Sequence, residues 1–119
     1  MSPVLVVDDD DELRELIALH LNASGVPTLE AADGVAALQV LHEGHPLSLM
    51  LLDLRMPRMN GLELLERLRV EQVLDGIPVV VLTGDNQAGI QAIASGARDF
   101  LRKPVSPEQL VATVHRYER

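Results

Sequence analysis

The feature that most constrains the fold is a repeated alternation between short apolar runs and longer segments of helical periodicity. Three runs stand out, at residues 4–7, 47–52 and 79–82. The second is apolar almost throughout, which is typical of a central parallel strand covered on both faces. Two weaker runs at 27–31 and 100–101 complete a predicted set of five strands.

The segments between these runs predict helices, each with a start or stop signal. In the first, Leu13, Leu16, Ile17 and Leu21 recur at helical spacing, so we expect them on the inward face. In the last, Ser106 is a predicted N-cap followed by Pro at the first helical position and Gln at the third. The predicted helices cover residues 12–23, 34–43, 60–72, 87–95 and 107–117.

Five strand–helix units predict an α/β fold. Right-handed crossovers place helices on both faces of a parallel sheet. We therefore predict a flavodoxin-like, doubly wound (βα)5 domain with strand order 2-1-3-4-5, spanning residues 1–119 as one domain. Its topological switch point lies between the first and third strands.

Polar side chains follow the predicted strands at their carboxyl ends. Asp8 and Asp9 follow the first strand, Asp53 the third, Thr83 the fourth, and Lys103 comes shortly after the fifth. Open α/β sheets bind ligands in the crevice at this edge. Three carboxylates, a hydroxyl and an ammonium suit a divalent cation and a phosphoryl group, with Asp53 as the reacting residue.

Composition excludes several functions. The net charge of −8 disfavours direct contact with nucleic acid, and Phe100 and Tyr117 are the only aromatic residues. The sequence has no cysteine and no apolar run long enough to span a bilayer. We expect a cytoplasmic protein that binds neither nucleic acid nor membrane.

These residues resemble the receiver domain of bacterial two-component response regulators, and the resemblance covers the whole chain. Each motif is weak alone, but their order and spacing make the set specific. The matching segments are Val6-Val7-Asp8-Asp9-Asp10, Leu52-Asp53-Leu54-Arg55-Met56-Pro57 with Asn60-Gly61, Val81-Leu82-Thr83-Gly84, and residues 95–104 ending in Lys103-Pro104.

The resemblance implies that Asp53 accepts a phosphoryl group and becomes an acyl phosphate. It implies a Mg²⁺ ion, with Mn²⁺ as an alternative, bound directly by Asp9 and Asp53 and largely through water by Asp8. The backbone carbonyl of Arg55 is the remaining implied protein ligand.

The resemblance also implies roles for the other residues of this edge. Lys103 pairs with Asp53 at rest and with a phosphate oxygen after transfer, and the Lys103–Pro104 peptide bond is a candidate for the cis form. Thr83 donates its hydroxyl to the phosphate. Thr83 and Phe100 together form the implied conformational switch.

The implied donor is a phosphohistidine on a sensor histidine kinase or a histidine phosphotransfer protein. The implied output surface, facing an output domain or a downstream protein, comprises helix 87–95, strand 98–101 and helix 107–117, and a phosphorylation-dependent homodimer is a further candidate. Two rivals are a Mg²⁺-dependent phosphohydrolase and a phosphorylation-independent binding module. The hydrolase is disfavoured because Arg55 stands where a second Asp is usual, and the module because no site residue is missing.

Two departures from the family pattern concern the loop after the fourth strand. The segment from Thr83 to Gly96 is about two residues short, and Gly84 replaces the usual Ala. With Gly89 near its start, the fourth helix is predicted to be short or mobile. Arg55 and Asp85 could bridge the mouth of the pocket, which makes them, with Gly84, predicted modulators of the site.

Overall fold

The computed structural model describes residues 2–55, 60–71 and 76–117. Five strands and five helices alternate along the chain. The strands are β1 Val4–Val7, β2 Thr28–Ala31, β3 Leu49–Asp53, β4 Val79–Thr83 and β5 Asp99–Arg102. The helices are α1 Asp11–Ala23, α2 Gly34–His42, α3 Gly61–Glu71, α4 Asn86–Ala94 and α5 Pro107–Tyr117.

The sheet is parallel with the order β2-β1-β3-β4-β5, which confirms the predicted fold class and topology. Successive side chains of a strand point to opposite faces, so each central strand feeds two hydrophobic cores. In β1, Val4 and Val6 pack with Ile17 of α1 and with α5. On the other face, Leu5 packs in the core that also receives α2, α3 and α4.

Polar side chains cap the starts of several helices. The carboxylate of Asp10 accepts a hydrogen bond from Leu13 N, and that of Asp33 accepts one from Ala36 N. Ser106 and Gln109 form a reciprocal capping box at the start of α5. These caps provide acceptors for backbone N–H groups in the first turns of α1, α2 and α5.

Several predicted details need correction. Strand β3 spans Leu49–Asp53, so the predicted strand 47–52 begins two residues too early and ends one residue too early. Leu16 is 48% exposed although its spacing predicted an inward position, because the buried face of α1 is narrower than its apolar stripe. Helix α4 starts and ends one residue earlier than predicted. With nine residues it and α2 are the shortest of the five described helices, and the alternative that α4 is mobile stays a prediction.

Some predictions fall outside the described residues. The motif residues Met56 and Pro57 and the predicted end of α3 at Gln72 are among them. Within the described part of the chain, no helix has both the length and the apolar character needed to cross a bilayer.

Candidate functional site

The carboxyl ends of four strands bring the predicted site residues to one edge of the sheet. Val7 of β1 lies beside Leu52 of β3, so Asp8 and Asp53 extend from adjacent positions. On the far side, Asp53 pairs in register with Leu82 of β4. The parallel topology therefore gathers residues that are far apart in the sequence.

Asp8, Asp9 and Asp53 form a compact acidic cluster. One carboxylate oxygen from each lies within 4.8 Å of the others, a spacing at which all three could hold one metal ion. Asp8 and Asp53 are buried, whereas Asp9 is exposed. The cluster thus reaches from the interior of the fold to solvent.

The carboxylate of Asp8 is strongly perturbed. Its Oδ1 accepts a hydrogen bond from Asp10 N at 3.0 Å, but its buried Oδ2 has no partner among the described residues. Burial raises the pKa of Asp8 from 3.8 to about 6; the Asp10 N–H opposes this rise, and the nearby negative charge of Asp53 adds to it. A buried carboxylate oxygen without a partner, beside two further carboxylates, fits a hard divalent cation, which takes oxygen ligands.

Asp53 is held by one cation and one backbone group. The ammonium of Lys103 lies 3.2 Å from Asp53 Oδ1, and the Arg55 N–H donates to the same oxygen at 3.2 Å. The Lys103–Pro104 peptide bond is cis, and Lys103 N–H donates to the carbonyl of Thr83 at 2.8 Å. Strand β4 therefore helps to fix the segment that carries the ammonium.

The hydroxyl of Thr83 is engaged within its own loop. It accepts a hydrogen bond from Asp85 N at 3.1 Å, and the Thr83 side chain is buried. The Asp85 carboxylate caps α4 by accepting from Gln87 N. Gly84 is exposed, and its Cβ position meets no heavy atom within 4 Å.

An open cleft of about 570 Å³ lies over this edge and is lined in part by Asp9, Thr83, Arg55 and Asp85. Arg55 and Asp85 therefore lie at the same opening, as the predicted bridge requires. Among the residues the structure describes, however, no ion pair joins them, and Asp85 is occupied as an N-cap. Their influence on the site remains a prediction.

Gly61 allows α3 to begin directly against the site strand. A Cβ there would lie 2.6 Å from Leu54 Cδ2, 2.8 Å from Leu54 Cα and 3.1 Å from the Asp53 carbonyl oxygen. Gly61 N–H also donates to the Leu54 carbonyl at 3.0 Å. A larger residue would therefore push α3 away from the backbone that carries Asp53.

Two features of the site region were not identified from the sequence. A Cβ at Gly89 of α4 would lie 2.5–2.7 Å from three ring carbons of Phe100, so the aromatic ring occupies the space that a side chain at 89 would need. From the sequence alone, Gly89 indicates only a weak helix. The second feature is Arg14, whose guanidinium contacts the β1–α1 loop and β2. No local sequence signal connects Arg14 with Glu30, which is 16 residues away.

The sheet topology and the acidic cluster at its carboxyl edge are those of a signalling receiver domain. A family model for the response regulator receiver domain matches residues 4–115. The chain therefore belongs to the response regulator receiver domain family of two-component signalling. In this family the domain communicates with histidine kinases and output domains.

Individual relatives and solved structures support this assignment. The DNA-binding response regulator MtrA of Mycobacterium tuberculosis (strain ATCC 25618 / H37Rv) is 40% identical over 113 residues, which are 93% of this chain and 48% of that protein. The phosphate regulon transcriptional regulatory protein PhoB of Pseudomonas aeruginosa is 39% identical over 111 residues, which are 92% and 48% of the two chains. This chain thus spans about half the length of these curated relatives.

Among solved structures, the receiver domain of the Francisella response regulator 1452 superposes with a TM-score of 0.88 at 30% identity, covering 98% of this chain and 96% of that one. The chemotaxis protein CheY4 of Vibrio cholerae gives a TM-score of 0.89 at 30% identity, covering 98% of both chains. Both likenesses extend over nearly the whole chain, in agreement with the observed topology.

Proposed function

We propose that this receiver accepts a phosphoryl group on Asp53 from a phosphohistidine donor and thereby changes conformation. The observation that carries the proposal is the environment of Asp53, a buried carboxylate with Lys103 at 3.2 Å and the acidic partners Asp8 and Asp9 beside it. A carboxylate placed this way can act as a nucleophile while neighbouring groups offset the negative charge that arrives with a phosphoryl group.

The proposal includes a bound Mg²⁺, which would supply charge neutralisation for the incoming phosphoryl oxygens. Asp9 and Asp53 would hold it directly, Asp8 largely through water, and the backbone carbonyl of Arg55 would complete the protein ligands. The buried oxygen of Asp8 that lacks a partner supports this assignment.

In the transfer step, an Asp53 carboxylate oxygen attacks phosphorus and forms the acyl phosphate bond. The phosphorus–nitrogen bond of the phosphohistidine breaks, and the imidazole leaves with the electron pair. Lys103 would move its contact from Asp53 to a phosphate oxygen, and the Thr83 hydroxyl would donate to another. Later attack of water on phosphorus would return Asp53 to its carboxylate and release inorganic phosphate.

Thr83 would couple this chemistry to the output surface. Its hydroxyl now accepts from Asp85 N–H, so turning toward the phosphate would break that contact and disturb the start of α4. Phe100, packed against Gly89 of α4, would respond to the same movement. Shifting such an equilibrium from 1:99 to 99:1 requires about 5.5 kcal/mol of differential stabilisation.

The partners we propose are a histidine kinase or phosphotransfer protein as donor and an output domain or downstream protein as target. The output face comprises α4, β5 and α5, where Ile90 and Ile93 are exposed. A phosphorylation-dependent homodimer would use the same face. MtrA is named a DNA-binding response regulator and PhoB a transcriptional regulatory protein, which supports control of transcription through a separate output domain. A cytoplasmic location remains a prediction.

The direct test is incubation with acetyl phosphate and Mg²⁺, followed by intact-mass analysis. Wild type should gain one phosphoryl group per chain, and Asp53→Ala should gain none. Asp10→Ser is the matched control, since it removes an exposed carboxylate from the same loop while keeping an N-cap residue. Phosphorylation of Asp53→Ala at the wild-type level, or none in wild type, would refute the proposal.

A further inference from the structure

Arg14 lies on the first turn of α1 and makes three polar contacts. Its Nη1 donates to the backbone carbonyl of Asp8 at 2.9 Å and lies 2.7 Å from Asp11 Oδ1. Its Nε donates to Glu30 Oε1 on β2 at 3.2 Å. The Arg14 side chain is only 13% exposed, unlike the arginines of α3, which are more than half exposed.

The backbone of Asp8 is held at two points, its N–H and its carbonyl. Asp8 N–H donates to the carbonyl of Ala31 at the end of β2, at 3.1 Å. The carbonyl of Asp8 accepts from Arg14, which is itself anchored to Glu30 of the same strand. The backbone that leaves β1 is therefore held against β2 just before Asp9. Asp9 itself lies in the loop between β1 and α1, and its side chain is exposed.

We propose that Arg14 is a positioning residue for the acidic cluster: it holds the Asp8–Asp9 backbone so that both carboxylates converge with Asp53. The inference rests on the proposed function, because its consequence is the affinity of the cluster for Mg²⁺. Arg14 contacts backbone, Asp11 and Glu30, so it acts on the cluster through the loop and not as a ligand.

The sign of the effect separates positioning from simple electrostatics. Arg14 is a cation close to a site for a cation, so loss of its charge alone would make Mg²⁺ bind more tightly. Loss of positioning would make Mg²⁺ bind more weakly, because a ligand set that is no longer held in place must be ordered on binding. Groups that orient metal ligands typically change metal affinity by about 10–100-fold.

The experiment compares Arg14→Met and Arg14→Lys with Arg69→Met by titrating each with MgCl₂ and following backbone amide resonances. Arg69 is the matched control because it also pairs with an acidic residue three positions away but lies in the last turn of α3. We expect the Mg²⁺ dissociation constant to rise about tenfold in Arg14→Met and to stay at the wild-type value in Arg69→Met. Arg14→Lys keeps the charge without the planar fork, so it should also weaken binding.

A second measurement needs no metal. In EDTA, hydrogen exchange of the Asp8 amide should be severalfold faster in Arg14→Met than in wild type, whereas core amides of β3 should exchange at comparable rates. If Arg14→Met does not fold, Arg14→Lys carries both measurements.

The outcomes distinguish this inference from the proposed function. Tighter or unchanged Mg²⁺ binding in folded Arg14→Met and Arg14→Lys would overturn the positioning role while leaving the phosphoacceptor proposal intact. Wild type that binds no Mg²⁺ would overturn both. Equal hydrogen exchange of the Asp8 amide in wild type, Arg14→Met and Arg14→Lys would show that Arg14 does not restrain the loop between β1 and α1.

Discussion

Replacing Asp8 with Asn should stabilise the metal-free protein. The pKa of this buried carboxyl lies at about 6 instead of 3.8, chiefly because burial disfavours its charged form. At a pH above both pKa values, Asp8 is ionised in the folded and the unfolded protein, but burial disfavours the charged form only in the folded protein. A difference of about two in pKa corresponds to about 3 kcal/mol of lost stability. Asn is similar in size and does not ionise, so Asp8→Asn removes this cost.

The raised pKa of Asp8 also predicts how the stability of the protein changes with pH. Because the pKa is raised in the folded state, folded protein binds more protons than unfolded protein between about pH 4 and 6, and wild-type stability falls as the pH rises through this window. The advantage of Asp8→Asn should therefore grow between pH 5 and pH 8 and approach about 3 kcal/mol at pH 8. Urea unfolding in EDTA measures this, at low protein concentration because the pI is about 4.8.

Magnesium should remove most of the stability difference between the two proteins. Wild type should gain about 2.7 kcal/mol when Mg²⁺ reaches one hundred times its dissociation constant, whereas Asp8→Asn has lost a carboxylate of the cluster and should gain less. Asp10→Asn is the control, since it removes an exposed carboxylate from the same loop and retains an N-cap residue. Parallel stability curves for wild type and Asp8→Asn between pH 5 and 8 would refute the reasoning.

Three further predictions test other parts of the site and fold. Lys103→Met removes the cation 3.2 Å from Asp53 and should slow phosphorylation by acetyl phosphate at least tenfold, as measured by intact mass; an unchanged rate would exclude a role in transfer. Gly89→Ala should destabilise wild type because the new Cβ would meet the Phe100 ring, yet it should stabilise the Phe100→Ala background by about 1 kcal/mol through helix propensity. Equal effects in the two backgrounds, measured by urea unfolding, would contradict this contact. Leu64→Ala empties a fully buried core position and should cost about 2–5 kcal/mol in the same assay; a smaller loss would mean that the core readily collapses.

The sequence was most informative where one short segment determines the answer. Apolar runs identified the three central strands clearly, because a strand covered on both faces must be apolar along its length, as 79–82 is. The two edge strands gave weaker signals because they are only partly buried. The N-cap of α5 was predicted correctly because capping is a local interaction. Ser106 and Gln109 each accept a hydrogen bond from the other's backbone N–H within one helical turn. Strand order then followed from general rules of handedness and from the small number of common topologies.

Sequence reasoning failed where the outcome depended on a neighbouring element. Helical spacing placed Leu16 on the apolar face of α1. How much of that face is buried depends on the elements that pack against it, and Leu16 lies at the edge of the buried part. The sequence identifies Gly89 as a weak helix former, but only the packing of α4 against β5 shows that it leaves room for the Phe100 ring.

The sequence by itself determined which residues end the strands, and therefore that Asp8, Asp53, Thr83 and Lys103 would meet at one edge of a parallel sheet. Only the tertiary structure decided how that edge behaves electrostatically: how deeply Asp8 is buried, that one of its oxygens lacks a partner, and that Arg14 ties its backbone to β2. The physical reason is that strand and helix signals are local, whereas desolvation and side-chain contacts depend on segments distant in the chain.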